Sequence, residues 1–281
     1  MTTQATPLPD ATVAVIGARV IGTTLITALR TAGWPQDRIK VATRTEERAE
    51  LVRSAHGVSV GLDSAEAAAD ADVVMLAVKP QDMAVALGQI QDSLKDGVLV
   101  VTVAGSLPTA FYEERLPQGT AVVRAMPNTP SVIARGATGI AAGAHATQAH
   151  LQLAGSLLRA TGLVVVVAEE QIDALAAVSG SGPAYFYAFV EALTEAGVAQ
   201  GLDRILATQL AAQTFVGAAH LLQQSGESPQ TLRHNVSSKG GTTLAALAAM
   251  EGAGLQGVVA AGVNAAVARA KELSAELSAA D

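Results

Sequence analysis

Over the first 168 residues, short apolar runs rich in β-branched side chains alternate with helix-patterned segments, and after Glu169 the alternation stops. The runs are Thr12–Ile16, Arg38–Thr43, Val73–Val78, Val98–Val103, Ala121–Ala125, Thr138–Ala141 and Leu163–Val167. Several are apolar at successive positions, the pattern of strands covered on both faces by crossover helices. Between the first two, Val20–Ala32 sets Ile21, Leu25 and Leu29 at helical spacing, and Gly33 follows as a stop. The pattern predicts an α/β unit over residues 1–168 built on a doubly wound parallel sheet.

From residue 169 to 281 the signals are helical: Ala184–Gly197, Arg204–Gln224, Thr243–Glu251 and Leu255–Leu277. Gly182–Pro183, Gly201–Asp203, Ser228–Pro229 and Gly240–Gly241 separate them. These helices are rich in Ala and Gly and poor in charge, so a homodimer through this half is expected; a monomeric helical domain is the alternative. Ile205–Gly226 and Gly252–Ala268 contain no Asp, Glu, Lys or Arg. Glutamines, Thr208, Thr214, His220 and Asn264 interrupt them, so both are expected to be buried helices and not membrane spans.

The formal net charge of -7 and the absence of a basic run argue against nucleic acid as a partner. With no cysteine, disulfides, thiolate catalysis and Cys-based metal sites are excluded. His56, His145, His150, His220 and His234 lack ligand spacing, and no metal is expected. Met1–Asp10 shows no secretory signal pattern, and a cytoplasmic protein is the expectation.

The first strand runs into Gly17-Ala18-Arg19-Val20-Ile21-Gly22 and then a helix, the spacing and setting of a Rossmann-type dinucleotide turn. Such a turn presents helix N-terminal N–H groups to a pyrophosphate. Arg19 stands where the middle glycine is usual, and either pairs with a phosphate or crowds the cofactor. At the end of the second strand, where an NAD site places a carboxylate, the chain has Thr43-Arg44-Thr45, and Glu46 is the first acid. A guanidinium flanked by hydroxyls suits a 2′-phosphate, so NADPH is expected, with NADH as the alternative. Ala77-Val78-Lys79-Pro80 and Ala104-Gly105 end later strands at the same edge of the sheet, where ligands of open α/β sheets bind.

Three further segments are Arg124-Ala125-Met126-Pro127-Asn128-Thr129-Pro130, Ser179-Gly180-Ser181-Gly182-Pro183-Ala184-Tyr185 and Asn235-Val236-Ser237-Ser238-Lys239-Gly240-Gly241-Thr242-Thr243. With the Ala-Val-Lys-Pro segment, and in this order, they give a chain that resembles the pyrroline-5-carboxylate reductases from about Thr12 to Leu273. The resemblance implies a Rossmann half, a helical half that interlocks two subunits, and assemblies of such dimers, commonly decamers. It places NADPH on Gly17–Gly22, Thr43–Thr45, Ala77–Pro80 and Ala104–Gly105, with Ser64 a weak contact on the adenosine side. It places the cyclic imine acid on Val236, Ser238, Gly241, Thr242 and Thr243, with Thr243 beside the imine nitrogen.

The chemistry supports that last assignment. A helix opened by Gly240-Gly241-Thr242-Thr243 offers free N–H groups and hydroxyls to a carboxylate. The same residues also make a good capped helix start, which is the structural alternative. Lys239 replaces the proline usual in relatives. With Arg19, it keeps two other activities open: reduction of a methylated or six-membered cyclic imine acid, and a cofactor-impaired subunit.

Overall fold

The computed structural model describes residues 11–279. Met1–Asp10, read above for a signal pattern, lies outside the described residues. In chain order the first part contains β1 (Val13–Ile16), α1 (Val20–Thr31), β2 (Ile39–Ala42), α2 (Glu46–His56), β3 (Ser59–Gly61) and α3 (Ser64–Ala68). There follow β4 (Val73–Leu76), α4 (Met83–Ile90), β5 (Leu99–Thr102), α5 (Thr109–Glu113), β6 (Ala121–Met126) and β7 (Gly136–Ala142). It closes with α6 (Gln148–Leu158), β8 (Gly162–Val166) and α7 (Ile172–Leu175).

The strands form one sheet in the order β3-β2-β1-β4-β5-β6-β7-β8. Successive residues of a strand feed opposite cores: Val13 and Val15 join one apolar cluster, Ala14 and Ile16 the other. Val73 and Met75 part from Val74 and Leu76 in the same way. Two covered faces are what made these strands continuously apolar.

The sheet has the expected doubly wound architecture, with one pair as the exception. It is not wholly parallel: β7 pairs with β6 antiparallel, and every other pair is parallel. Only the short connection through Pro127–Arg135 joins β6 to β7, and a parallel return needs a crossover of about a dozen residues or more. Between β7 and β8 the helix α6 supplies such a crossover, and that pair is parallel.

The chain divides into two compact units: residues through Ser181 together with those from Ala266 on, and Gly182–Ala265. The second contains α8 (Gly182–Ala199), α9 (Arg204–Ser225), α10 (Pro229–Asn235), α11 (Thr242–Gly252) and the beginning of α12 (Leu255–Ala279). Asp203 caps α9 by accepting from the N–H groups of Ile205 and Leu206 at 2.9 and 3.2 Å. Phe215 of α9 meets Phe186 and Phe189 of α8 edge-on, centroids 5.3 and 5.4 Å apart.

The expectation that Ile205–Gly226 and Gly252–Ala268 are buried does not hold within the chain. In this unit only Thr194, Ala207 and Ala211 are buried, while Ile205 is 69% and Val258 69% exposed. One chain supplies too few neighbours to cover helices that are apolar around much of their circumference. By length and composition α9 would also suffice to cross a bilayer.

Candidate active site

The carboxyl ends of β1, β2, β4 and β5 open on a cleft of ≈ 1340 Å³. Gly17 leaves β1 with φ +92°, a conformation that favours glycine, and its N–H donates to the Ala42 carbonyl at 2.9 Å. Arg19 is the N-cap of α1, at φ -83° and ψ -154°, a region open to any residue. Its side chain makes no capping bond, and α1 has no acid in its first turn. The first N–H groups of α1 therefore face the cleft without a side-chain partner, the arrangement that binds phosphate.

Thr43 is buried, and its Oγ1 donates to the Thr45 carbonyl at 3.2 Å. Thr45 in turn caps α2 by accepting from the Arg48 N–H. Arg44, between them, is exposed, and its Nη2 lies 2.6 Å from Asp82 Oδ2. Ser64 opens α3 directly after its cap, Asp63.

On the other side of the turn, the Ala77 N–H donates to the Ile16 carbonyl at 2.8 Å, and Lys79-Pro80 start a short 3-10 turn. A Cβ at Gly105 would meet Met126 Sδ at 2.0 Å. Gly17, Arg19, Val20, Ile21, Thr43–Thr45, Ser64, Ala77–Pro80, Ala104 and Gly105 all line this one cleft. Gly22 does not line it; it sits beneath the turn, packed on the Gly17 carbonyl.

Three residues, among them Arg124 of the segment named above, take roles that the sequence does not announce. Arg48 lines the cleft and donates from Nε to the Ala18 carbonyl at 2.6 Å and from Nη2 to Thr23 Oγ1 at 2.7 Å, which braces the glycine turn. Asp82 lines the opposite wall. Arg124, on β6, is 5% exposed; its Nη1 lies 2.9 Å from Glu169 Oε1, and its Nε and Nη2 both donate to the Gly105 carbonyl. Arg124 thus anchors one cleft loop to a buried charge pair. An isolated Arg or Asp, whether in a helix, a strand or a turn, carries no periodic signal that would have marked these roles.

Behind that pair, burial pushes the Tyr112 phenol well above its ordinary pKa, and its hydroxyl bonds Thr102 Oγ1 at 2.6 Å. Asn128 ties two elements together: Nδ2 donates to the Ser179 carbonyl at 3.0 Å, and Oδ1 accepts from the Ala137 N–H at 2.8 Å. Ser179-Gly180 belongs to a π-helical turn over Ala176–Gly180, in which the Ser181 N–H reaches back to the Ala176 carbonyl. Such turns recur at functional positions.

The Val236–Thr243 segment lies in the helical unit. Val236 ends α10 and is 65% exposed. Gly240 has φ +74°, which lets the chain fold back so that the Gly241 N–H donates to the Ser238 carbonyl at 2.9 Å. A Cβ at Gly241 would lie 2.5 Å from Ser238 Oγ. Gly241 is the N-cap of α11, and no side chain caps the helix. The N–H groups of Thr242 and Thr243 are consequently open to an anion, with Ser238 beside them. Lys239 is exposed on the same loop.

The cleft fits a dinucleotide: a turn opened by Gly17, an uncapped helix start with Arg19 beside it, hydroxyls and a guanidinium at the end of β2, and apolar walls at Leu62 and Val85.

Two family models match the chain: "NADP oxidoreductase coenzyme F420-dependent" over residues 12–105, and "Pyrroline-5-carboxylate reductase dimerisation" over residues 169–273. The chain is 40% identical over 266 residues to the pyrroline-5-carboxylate reductase of Pseudomonas aeruginosa, covering 94% of this chain and 97% of that one. The solved pyrroline-5-carboxylate reductase of Coxiella burnetii superposes with a TM-score of 0.92 at 37% identity, over 95% of this chain and 99% of that one. Pyrroline carboxylate reductase of Plasmodium falciparum, solved with NADP bound, shares the fold at a TM-score of 0.82 and 24% identity, over 95% and 100% of the two chains. With identity near 40% along almost the whole length of a curated relative, the chain belongs to the pyrroline-5-carboxylate reductase family.

Proposed function

We propose that the protein reduces the C=N bond of 1-pyrroline-5-carboxylate with NADPH, forming L-proline. The observation that carries the proposal is the convergence of the glycine turn, Thr43–Thr45, Ala77–Pro80 and Ala104–Gly105 on one cleft in a member of this family. In this reading the residues divide their labour at about residue 168. Residues 1–168 hold the cofactor; residues 169–281 pair the subunits and take the substrate.

When bound, the reduced nicotinamide supplies the hydride. The chain supplies position. Gly17 and the open N–H groups of α1 receive the pyrophosphate, and Arg44, between Thr43 and Thr45, receives the 2′-phosphate that favours NADPH over NADH. Lys79-Pro80 and Ala104-Gly105 also line the cleft, and Arg124 holds Gly105 in place.

The Thr242 and Thr243 N–H groups and Ser238 hold the ring carboxylate, Val236 and Gly241 shape its pocket, and the Thr243 hydroxyl orients the imine nitrogen. The ring nitrogen is basic enough to carry its own proton near neutrality, so the chain needs no strong general acid. Its contribution is alignment and exclusion of water.

The enzyme is proposed to be a cytoplasmic homodimer. The exposed apolar face of α9 is then covered by a second copy and not by lipid, as supported by the dimerisation family model that spans it.

Purified protein given 1-pyrroline-5-carboxylate should consume NADPH with stoichiometric appearance of proline, and should use NADH with a lower kcat/KM. Absence of turnover with both cofactors would refute the proposal.

A further inference from the structure

Asp82 follows Lys79-Pro80 and is the N-cap residue of α4. Aspartate is among the best N-caps, yet this carboxylate makes no capping bond. It reaches Arg44 instead, with Oδ2 2.6 Å from Nη2. Arg44 follows β2 and Asp82 lies beyond β4, and these strands flank β1 in the sheet. The bond therefore links the two loops on either side of the glycine turn that leaves β1, and both residues line the cleft. Asp82 is the more sheltered partner, its side chain 30% exposed against 73% for Arg44.

We propose that Asp82 sets cofactor choice by holding the Arg44 guanidinium that a 2′-phosphate requires, so that NADPH must displace a carboxylate which NADH can leave in place. The inference rests on the reading of Arg44 as the residue for the 2′-phosphate.

The chemistry is competition for one cation. A carboxylate and a phosphate oxygen both take the planar guanidinium through charge-assisted hydrogen bonds. A 2′-phosphate carries between one and two negative charges near neutrality. Seated on Arg44, it would also lie within a few ångströms of Asp82, where like charges repel. A ribose 2′-hydroxyl brings no charge and is a hydrogen-bond donor that a carboxylate accepts. Asp82 thus lowers NADPH affinity without lowering that for NADH, and keeps both cofactors usable. The other cationic side chains that line the cleft are Arg19, Arg48 and Lys79. Arg48 is already bonded to Ala18 and Thr23 and is not a substitute for Arg44.

The test is direct binding to the full-length protein, by calorimetry or by fluorescence of the reduced nicotinamide, for NADPH and for NADH. The proteins are wild type, Asp82→Asn, Arg44→Ala and the double variant. Asp82→Asn should bind NADPH about 2- to 5-fold more tightly, the scale of a partly exposed ion pair, with NADH affinity unchanged from wild type. Raising the salt concentration should shrink the gain. In the Arg44→Ala background Asp82→Asn should bring no gain.

An unchanged NADPH affinity in Asp82→Asn, an equal change for both cofactors, or a gain that persists without Arg44 would each overturn the inference. If Arg44→Ala weakens NADPH selectively while Asp82→Asn has no effect, only this inference falls. If Arg44→Ala leaves the ratio of NADPH to NADH affinity unchanged, the reading of Arg44 falls and takes the inference with it.

Discussion

A Cβ placed on Gly22 would stand 1.9 Å from the carbonyl oxygen of Gly17. The obstacle is backbone, so no rotamer change relieves it. The turn must open, and with it the N–H groups that face the cleft. Gly22→Ala should therefore lose at least about tenfold in NADPH affinity and cost about 1–3 kcal/mol of stability. Calorimetric titration beside a thermal melt measures both, and unchanged NADPH affinity would show that the turn does not hold the cofactor.

Arg124 is nearly enclosed, with Glu169 on Nη1, Asp173 3.6 Å from Nη2 and the Gly105 carbonyl accepting from both Nε and Nη2. Glu169 Oε1 also accepts from the Thr109 N–H at 3.0 Å, while its Oε2 is buried with no hydrogen-bond partner. Arg124→Met would leave that carboxylate uncompensated, a loss of about 3–5 kcal/mol. For a chain of this size the melting temperature should fall by about 5–9 °C. Adding Glu169→Gln should restore part of the loss, because it removes the stranded charge. A double variant less stable than Arg124→Met would contradict this account of the pair.

The His56 imidazole is held below its ordinary pKa, first by desolvation and then by the nearby charges of Arg30 and Arg48. On the acid side of neutrality the unfolded chain therefore binds more protons than the folded one, and stability rises with pH. Its contribution is complete above the unfolded value of 6.5 and is lost as the pH falls toward the lower folded value. Denaturant unfolding near pH 5.5 and near pH 7.5 should show wild type losing more stability on acidification than His56→Asn. Equal losses would assign the acid sensitivity to other groups.

Leu210 lies on the apolar face of α9 and is 50% exposed, between Leu206 at 45% and Val216 at 46%. If a second copy covers this face, Leu210→Arg places a charge in a dry interface. The dimer should weaken by at least about tenfold without loss of the sheet domain. Light scattering at graded concentrations would show monomer. A dimer that persists at wild-type affinity would place the contact elsewhere.

The sheet was legible because each of its central strands is covered twice. Thr12–Ile16 and Val98–Val103 contract to Val13–Ile16 and Leu99–Thr102, and remain strands. The edge strand β3 was not foreseen. It spans Ser59–Gly61 with only Val60 buried, too little for either periodicity. α10 escaped for a related reason, since Pro229–Asn235 buries no side chain. The reversal at β7 depends on the length of a connection, which apolar patterning does not encode.

For the cleft, the glycine turn and the strand ends were visible from the sequence, because local geometry demands particular residues there. Asp82 and Arg124 were not, since their roles come from partners far along the chain. The two uncharged stretches mark the limit of composition. Ile205–Gly226 reads as buried whether its cover comes from the same chain or from another, and within this chain only Ala207 and Ala211 of the stretch are buried.

Two placements are decisive: a dinucleotide in the cleft that Arg44 and Gly105 line, and a ring acid at the uncapped start of α11. Diffraction from crystals grown with NADP and L-proline tests both at once. Density for the 2′-phosphate is expected at Arg44 and for the pyrophosphate at Gly17–Gly22. The proline carboxylate is expected on the Thr242 and Thr243 N–H groups. Proline density away from Ser238–Thr243, or a cofactor outside the cleft, would contradict these placements.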